Sequence, residues 1–192
     1  SEILKKIRQY PRKIRHIFNK IFQGVATSRD DVYILSSCSE KGDYVEGFSE
    51  SLNKTVMLER GFVKPLLKGE NIHRYGQLSR NNFIIFPYSV KLTQDGPNVV
   101  SLHKESYIRE TFHLGWKYLK QNETSLRKRE NGRFDGDYWY QFSRNKGLRY
   151  ENETKLLCPY LSLYSQFTLD VEGGYYTNTK VYGFIRKQGA VE

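Results

Sequence analysis

The chain has 192 residues, a net charge of +10 at pH 7, 38 % hydrophobic residues and 15 % aromatics. That length and apolar content suit one core-forming domain, or one domain with a helical lead-in, and exclude a disordered polypeptide. No apolar run approaches the ~20 residues of a membrane span, the basic N-terminus lacks a signal peptide's apolar stretch, and the surplus of cations points to a polyanion, nucleic acid before acidic membrane.

Ile3, Leu4 and Ile7 share one face of a helix predicted over residues 2–9, which stops before Pro11. Residues 1–13 therefore read as a helical lead-in and 14–192 as the domain. Ile14, Ile17, Phe18, Ile21 and Phe22 fit a helix turn or a strand equally. Gly24 breaks that run, and VYIL at 32–35, DYVEGF at 43–48 and TVMLE at 55–59 are predicted strands. FVKPLLKGENIHRYG (62–76), punctuated by Pro65 and Gly69, is a turn-rich connector. NNFIIFPY (81–88) is a strand whose near-continuous apolar run predicts burial on both faces. QDGPN (94–98) is a loop.

From about Lys104 to Glu130 the spacing turns helical, with a break near Gly115 and a cap at Gly132. DYWYQFSR (137–144) is a compact aromatic element, predicted helical. KLLCPY, QFTLD and KVYGFIR are late strands, with EGGYYTN as a turn. The order strands, helices, strands predicts an α+β fold, with twisted, mostly antiparallel sheets and a helical block around residues 104–143.

No phosphate-cradling Gly-rich loop, no G-x-S-x-G elbow and no metal spacing among His16, His73, His103 and His113 is present. Cys38 and Cys158 read as free thiols in a reducing cytoplasm. Glu153-Thr154-Lys155, with Asp135 and Asp137 upstream, is the one string resembling catalysis. It echoes PD-(D/E)-x-K nucleases, in which carboxylates hold Mg²⁺ and the Lys orients water. The residue types are common and the spacing short, so the bland reading, charged strand ends, weighs more.

Basic residues gather at Lys5–Arg15, at Lys64–Arg80, and at Arg127–Arg133 with Arg144, Lys146 and Arg149 behind. Such clusters suit phosphate neutralisation. The first also fits one solvated helix face, and Arg127–Arg129 also fit cations at a helix C-terminus. Trp139 and Tyr140 could stack on bases or anchor the core. The polar loop GVATSRDD (24–31) carries the inventory of a recognition loop, or of a turn with Asx-type hydrogen bonds.

IFQGVATSRDDVYIL resembles the opening motif of TaqI-like C-terminal specificity domains: an apolar run, a Gly, a Thr-containing loop and a strand. FVKPLLKGENIHRYG, NNFIIFPY, YLKQNETSLRKREN, and DYWYQFSR followed by KLLCPYLS are similar to the family's later motifs, in the family's order, across about residues 14–186. The resemblance implies a double-stranded DNA target-recognition domain of an adenine-N6 restriction-modification methyltransferase. The catalytic domain, with its N-P-P-Y motif and S-adenosylmethionine, would lie elsewhere in the same polypeptide, so this chain is expected to be a fragment without a cofactor or catalytic residue of its own. Lys68, Arg74, Arg127, Arg129, Arg144 and Lys146 are then expected on phosphates. Thr27, Ser28, Arg29 and Asp30 are expected at base edges, with Trp139 and Tyr140 also on the DNA side. The alternatives are the nuclease, an RNA-binding module and a domain docking on an acidic protein.

Overall fold

The apolar stripe of Ile3, Leu4 and Ile7 forms helix α1 (Glu2–Gln9), which buries no residue. The Lys13 ammonium donates to the Ile7 and Arg8 carbonyls at its end (3.2 and 3.0 Å). The ambiguous stretch after it uses both conformations: a helical turn, α2 (Ile14–Ile17), runs directly into strand β1 (Phe18–Gln23). A computed structural model describes residues 2–93, 98–145, 147–150 and 153–187. Residues 94–97 of the predicted QDGPN loop lie outside them.

Gly24 ends β1 because another strand of backbone crosses there. A Cβ at Gly24 would stand 2.2 Å from the Thr177 carbonyl oxygen. The chain then enters a helical turn, α3 (Asp30–Tyr33), and strand β2 (Ile34–Lys41). Val32 and Tyr33, predicted as strand, are thus helical. Local side-chain hydrogen bonds from Thr27 and Arg29 set that turn and outweigh β propensity.

Strands β3 (Tyr44–Ser49) and β4 (Lys54–Glu59) follow β2 as an antiparallel meander. The predicted connector contains a further strand, β5 (Val63–Leu67), antiparallel to β6 (Phe83–Ile85). Pro65 masked it, since proline seldom sits in a paired strand. It is tolerated because β11 (Tyr176–Thr177), the parallel neighbour on β5's other side, engages only Leu66 and Leu67. β11 lies inside the predicted EGGYYTN turn. All three residues of β6 are buried, as its unbroken apolar run predicts. Strands β7 (Tyr88–Lys91) and β8 (Val99–Leu102) form a separate hairpin that the sequence reading passed over, apart from Tyr88.

Helix α4 (Glu105–Thr111) and helix α5 (His113–Arg127) meet at Phe112, not at Gly115. Gly115 lies inside α5, where a Cβ would stand 2.2 Å from the Phe62 ring. The Glu59 carboxylate accepts the Leu114 and Gly115 N–H groups (2.7 and 2.9 Å), satisfying donors that α5's first turn leaves free. The helical block ends earlier than predicted. After Arg127 the chain kinks through Glu130, Asn131 and Gly132 (φ 47°, 60° and 82°), so Gly132 does sit where a left-handed residue is needed.

DYWYQFSR is not helical. Its backbone groups are taken by side chains: Arg129 binds the Trp139 and Gln141 carbonyls, Tyr33 the Tyr140 carbonyl, and the Tyr88 hydroxyl accepts from Phe142 N–H. Strands β9 (Lys155–Pro159), β10 (Thr168–Asp170) and β12 (Val181–Arg186) match the three late predictions.

The result is an α+β fold. One sheet has the order β1-β12-β9-β10, a second the order β11-β5-β6-β2-β3-β4, and β7-β8 stand as a pair. Among the described residues every strand pair is antiparallel except β11 with β5. The main core joins Tyr33, Leu35, Phe62, Ile84, Leu119 and Trp139. Cys38 and Cys158 are free thiols, and burial pushes Cys38 up to about 11. Among the described residues no helix is long and apolar enough to cross a membrane.

Candidate nucleic-acid interface

The loop after Gly24 is tied down at each residue. Ala26 pairs with Arg144 through both backbone groups (3.2 and 3.0 Å). Thr27 is buried; its hydroxyl donates to Asp30 (2.5 Å) and accepts Arg29 N–H (3.1 Å). Ser28, with φ 56°, donates to Glu130 (2.7 Å). Arg29 forms a two-pronged pair with Asp31 (2.8 and 2.6 Å). This hydrogen bonding holds the Asp31 carboxyl below the usual aspartate range and raises Arg29, while partial burial opposes both shifts.

Because Asp31 is depressed in the fold, its contribution is present above the ordinary aspartate pKa of ~3.9 and is lost as pH falls below it. Both side chains are about one-third exposed (33 % and 31 %), so water screens the pair and Asp31→Asn should cost no more than about 1 kcal/mol. Urea midpoints of parent and variant should differ near neutrality and converge as the solution is acidified through that range.

Beneath the loop lies Arg129, only 4 % exposed. Its guanidinium donates to the carbonyls of Leu126, Thr27, Trp139 and Gln141 (2.6–2.9 Å) and stacks over Phe134 at 4.3 Å. Burial lowers its pKa from the usual arginine value. Arg129 is a buried strut and not a phosphate contact, which corrects the sequence expectation. The same correction holds for Thr27, and for Trp139 and Tyr140, both 1 % exposed. The Tyr140 hydroxyl donates to the His103 carbonyl, and burial pushes its pKa up to about 12.

The other expected contacts divide. Arg127 is engaged by Glu123 (2.8 Å) and Asp135 (3.2 Å) and lies over Trp139. Lys68 stands 4.0 Å from Glu70, and exposed Arg74 covers the Tyr75 ring at 5.3 Å. Asp30 is exposed but holds Thr27. Lys146 lies outside the described residues. Arg144 is exposed.

Arg144 lines a hollow of about 570 Å³ with Lys20, Gln23, Gly24, Arg149 and Tyr150. A second hollow of about 630 Å³ adjoins it, sharing Lys20 and Tyr150 and adding Asn19, Glu153, Arg186 and Lys187. Five cations and one carboxylate thus line these two hollows, which meet at Lys20 and Tyr150. The Lys20 ammonium lies over the Tyr150 ring (5.8 Å). No carboxylate among the described residues pairs with Lys20, Arg144 or Arg149. Lys20, Arg186 and Lys187 were not singled out from sequence. They meet through the β1–β12 pairing, Lys20 opposite Ile185 and Phe18 opposite Arg186, a contact across more than 160 residues.

At the loop's other end a polar hollow of about 620 Å³ lies between Ser28, Arg29, Ser51 and the exposed flank of α5. Residues 24–29 run from the basic cleft to this hollow. The nuclease-like string is arranged differently: Lys155 is buried against Asp170 (2.6 Å), and Asp135 pairs with Arg127. No family model matches the chain, and comparison with curated proteins gives no match.

Proposed function

We propose that the chain is a double-stranded DNA recognition domain that positions a target site for an adenine-N6 methyltransferase domain of the same cytoplasmic polypeptide. The observation that carries the DNA-binding part is the cleft of Lys20, Arg144, Arg149, Arg186 and Lys187 around Tyr150. Five cations against one carboxylate, spread along the two hollows, match a row of phosphates better than a single small anion. The ordered resemblance to TaqI-like specificity domains supports the methyltransferase assignment. On this reading S-adenosylmethionine and the reacting groups belong to the other domain, and the chain by itself transfers no methyl group.

One titration tests the binding. The chain is titrated with duplex DNA, duplex RNA and heparin at several salt concentrations. Duplex DNA is expected to bind most tightly. Lys20→Ala, Arg144→Ala and Arg149→Ala should each reduce the slope of log Kobs against log salt by about 0.9, weakening all sequences alike. Tighter binding to RNA, or affinity independent of salt, would overturn the proposal.

A further inference from the structure

Helix α5 buries Tyr118, Leu119, Asn122 and Leu126 and leaves the opposite flank open. On that flank Lys117, Gln121, Thr124 and Lys128 are all exposed. Their spacing of four, three and four residues aligns them on one face over ~17 Å of helix. The acid on the neighbouring flank, Glu123, is already neutralised by Lys120 and Arg127. The open stripe therefore offers one neutral amide and one hydroxyl, with an ammonium at each end.

Two hollows lie end to end along one edge of this stripe, with Gln121 lining both. Toward the C-terminal end of α5 lies the polar hollow shared with Ser28 and Arg29, also lined by Gln121, Thr124 and Lys128. Toward its N-terminal end lies a hollow of about 290 Å³ between α5 and edge strand β4, lined by Lys54, Lys117 and Gln121. The backbone around the first is fixed in sparsely populated conformations: Ser28, Glu130 and Asn131 all have positive φ, at 56°, 47° and 60°. Such positions cost energy and persist where surrounding contacts hold them. Here the Ser28–Glu130 hydrogen bond and the Arg129 strut below do so.

A helix that keeps one face in the core and presents an exposed polar face fits the major groove, which is ~12 Å wide and admits one helix between two phosphate walls. We infer that α5 enters the major groove and that Gln121 and Thr124 read base edges there, with Lys54, Lys117 and Lys128 toward the flanking phosphates. This rests on the duplex-DNA reading above and replaces the loop side chains Thr27 and Arg29 as the sequence readers. A glutamine amide can pair with both N6 and N7 of adenine, and a threonine methyl can meet the thymine methyl.

The test is selection from a pool of randomised duplexes, read by sequencing, with the parent chain, the Gln121→Ala/Thr124→Ala variant and Lys20→Ala. The parent should enrich a motif. The double variant should lose preference at one or more positions and bind the selected site about tenfold to a hundredfold more weakly, with random-sequence affinity unchanged. Lys20→Ala should weaken every sequence and leave the motif intact. Both α5 substitutions are at exposed positions, and an unchanged melting temperature confirms that the fold is kept. An unchanged motif and affinity in the double variant overturn the inference. Duplex binding by the parent without any enriched motif overturns it too, while leaving the DNA-binding proposal standing. No duplex binding by the parent overturns both.

Discussion

Replacing Arg129 by methionine is expected to lower stability by about 4 kcal/mol, among the largest effects of any single substitution in this chain. Methionine fills much of the space but donates nothing. The carbonyls of Thr27, Leu126, Trp139 and Gln141 would each lose a charged donor. A buried polar group left without its partner costs about 1–3 kcal/mol, and the four do not add because some regain water or shift. Arg129→Lys should recover part of the loss. An ammonium keeps the charge, but cannot reproduce the planar fork that spans four acceptors. Urea unfolding of the three proteins measures this, and a loss below about 1 kcal/mol for Arg129→Met would contradict the strut assignment. The same variant should loosen Ser28 and the rim of the polar hollow, because Arg129 holds the Thr27 carbonyl next to it.

Arg129 also shows where sequence reasoning stops. In the sequence it belongs to the basic run Arg127-Lys128-Arg129, three cations in a row. The fold gives each a different situation. Arg127 is paired with carboxylates, Lys128 is exposed beside the polar hollow, and Arg129 is buried. Consecutive residues on a helix point about 100° apart, so a charge run cannot share one environment. The local features were legible: α1 from its apolar stripe, β6 from its unbroken apolar run, and β9, β10 and β12 from their β-branched and aromatic content. The α+β class followed from their order. Features made by distant contacts were not. β11 is a two-residue strand whose partner lies about 110 residues earlier, and the basic cleft exists because β12 returns beside β1. The segment 137–144 has an aromatic content that reads as compact structure, and it is compact. Its helical assignment failed because the backbone partners are the side chains of Arg129, Tyr33 and Tyr88, the last two 54 or more residues away in sequence. The α5 stripe is the opposite case. Lys117, Gln121, Thr124 and Lys128 are spaced for one helix face; of these only Lys128 belongs to a basic cluster in the sequence, and the neutral members hide the stripe.

Lys155→Met is expected to cost about 3–5 kcal/mol of stability. Lys155 and Asp170 face each other across the β9–β10 pair, 2 % and 3 % exposed, with the ammonium 2.6 Å from the carboxylate. Removing the lysine leaves a carboxylate in the interior, with Tyr175 N–H at 3.4 Å as a weak remaining donor. Asp170→Leu should be similarly costly, since it strands the ammonium. Replacing both together, Lys155→Met with Asp170→Leu, should cost much less than the sum. The desolvation penalty of both charges disappears with their attraction, and apolar side chains can pack in their place. Urea denaturation of the four proteins gives the coupling directly. The outcome also bears on the nuclease alternative, which needs Lys155 beside a reacting phosphate. If that alternative held, Lys155→Met would abolish Mg²⁺-dependent nicking of plasmid by the parent chain while leaving the unfolding curve in place. A lysine that serves as the partner of Asp170 gives the reverse: a shifted unfolding curve, a strong coupling to Asp170, and no nicking to lose.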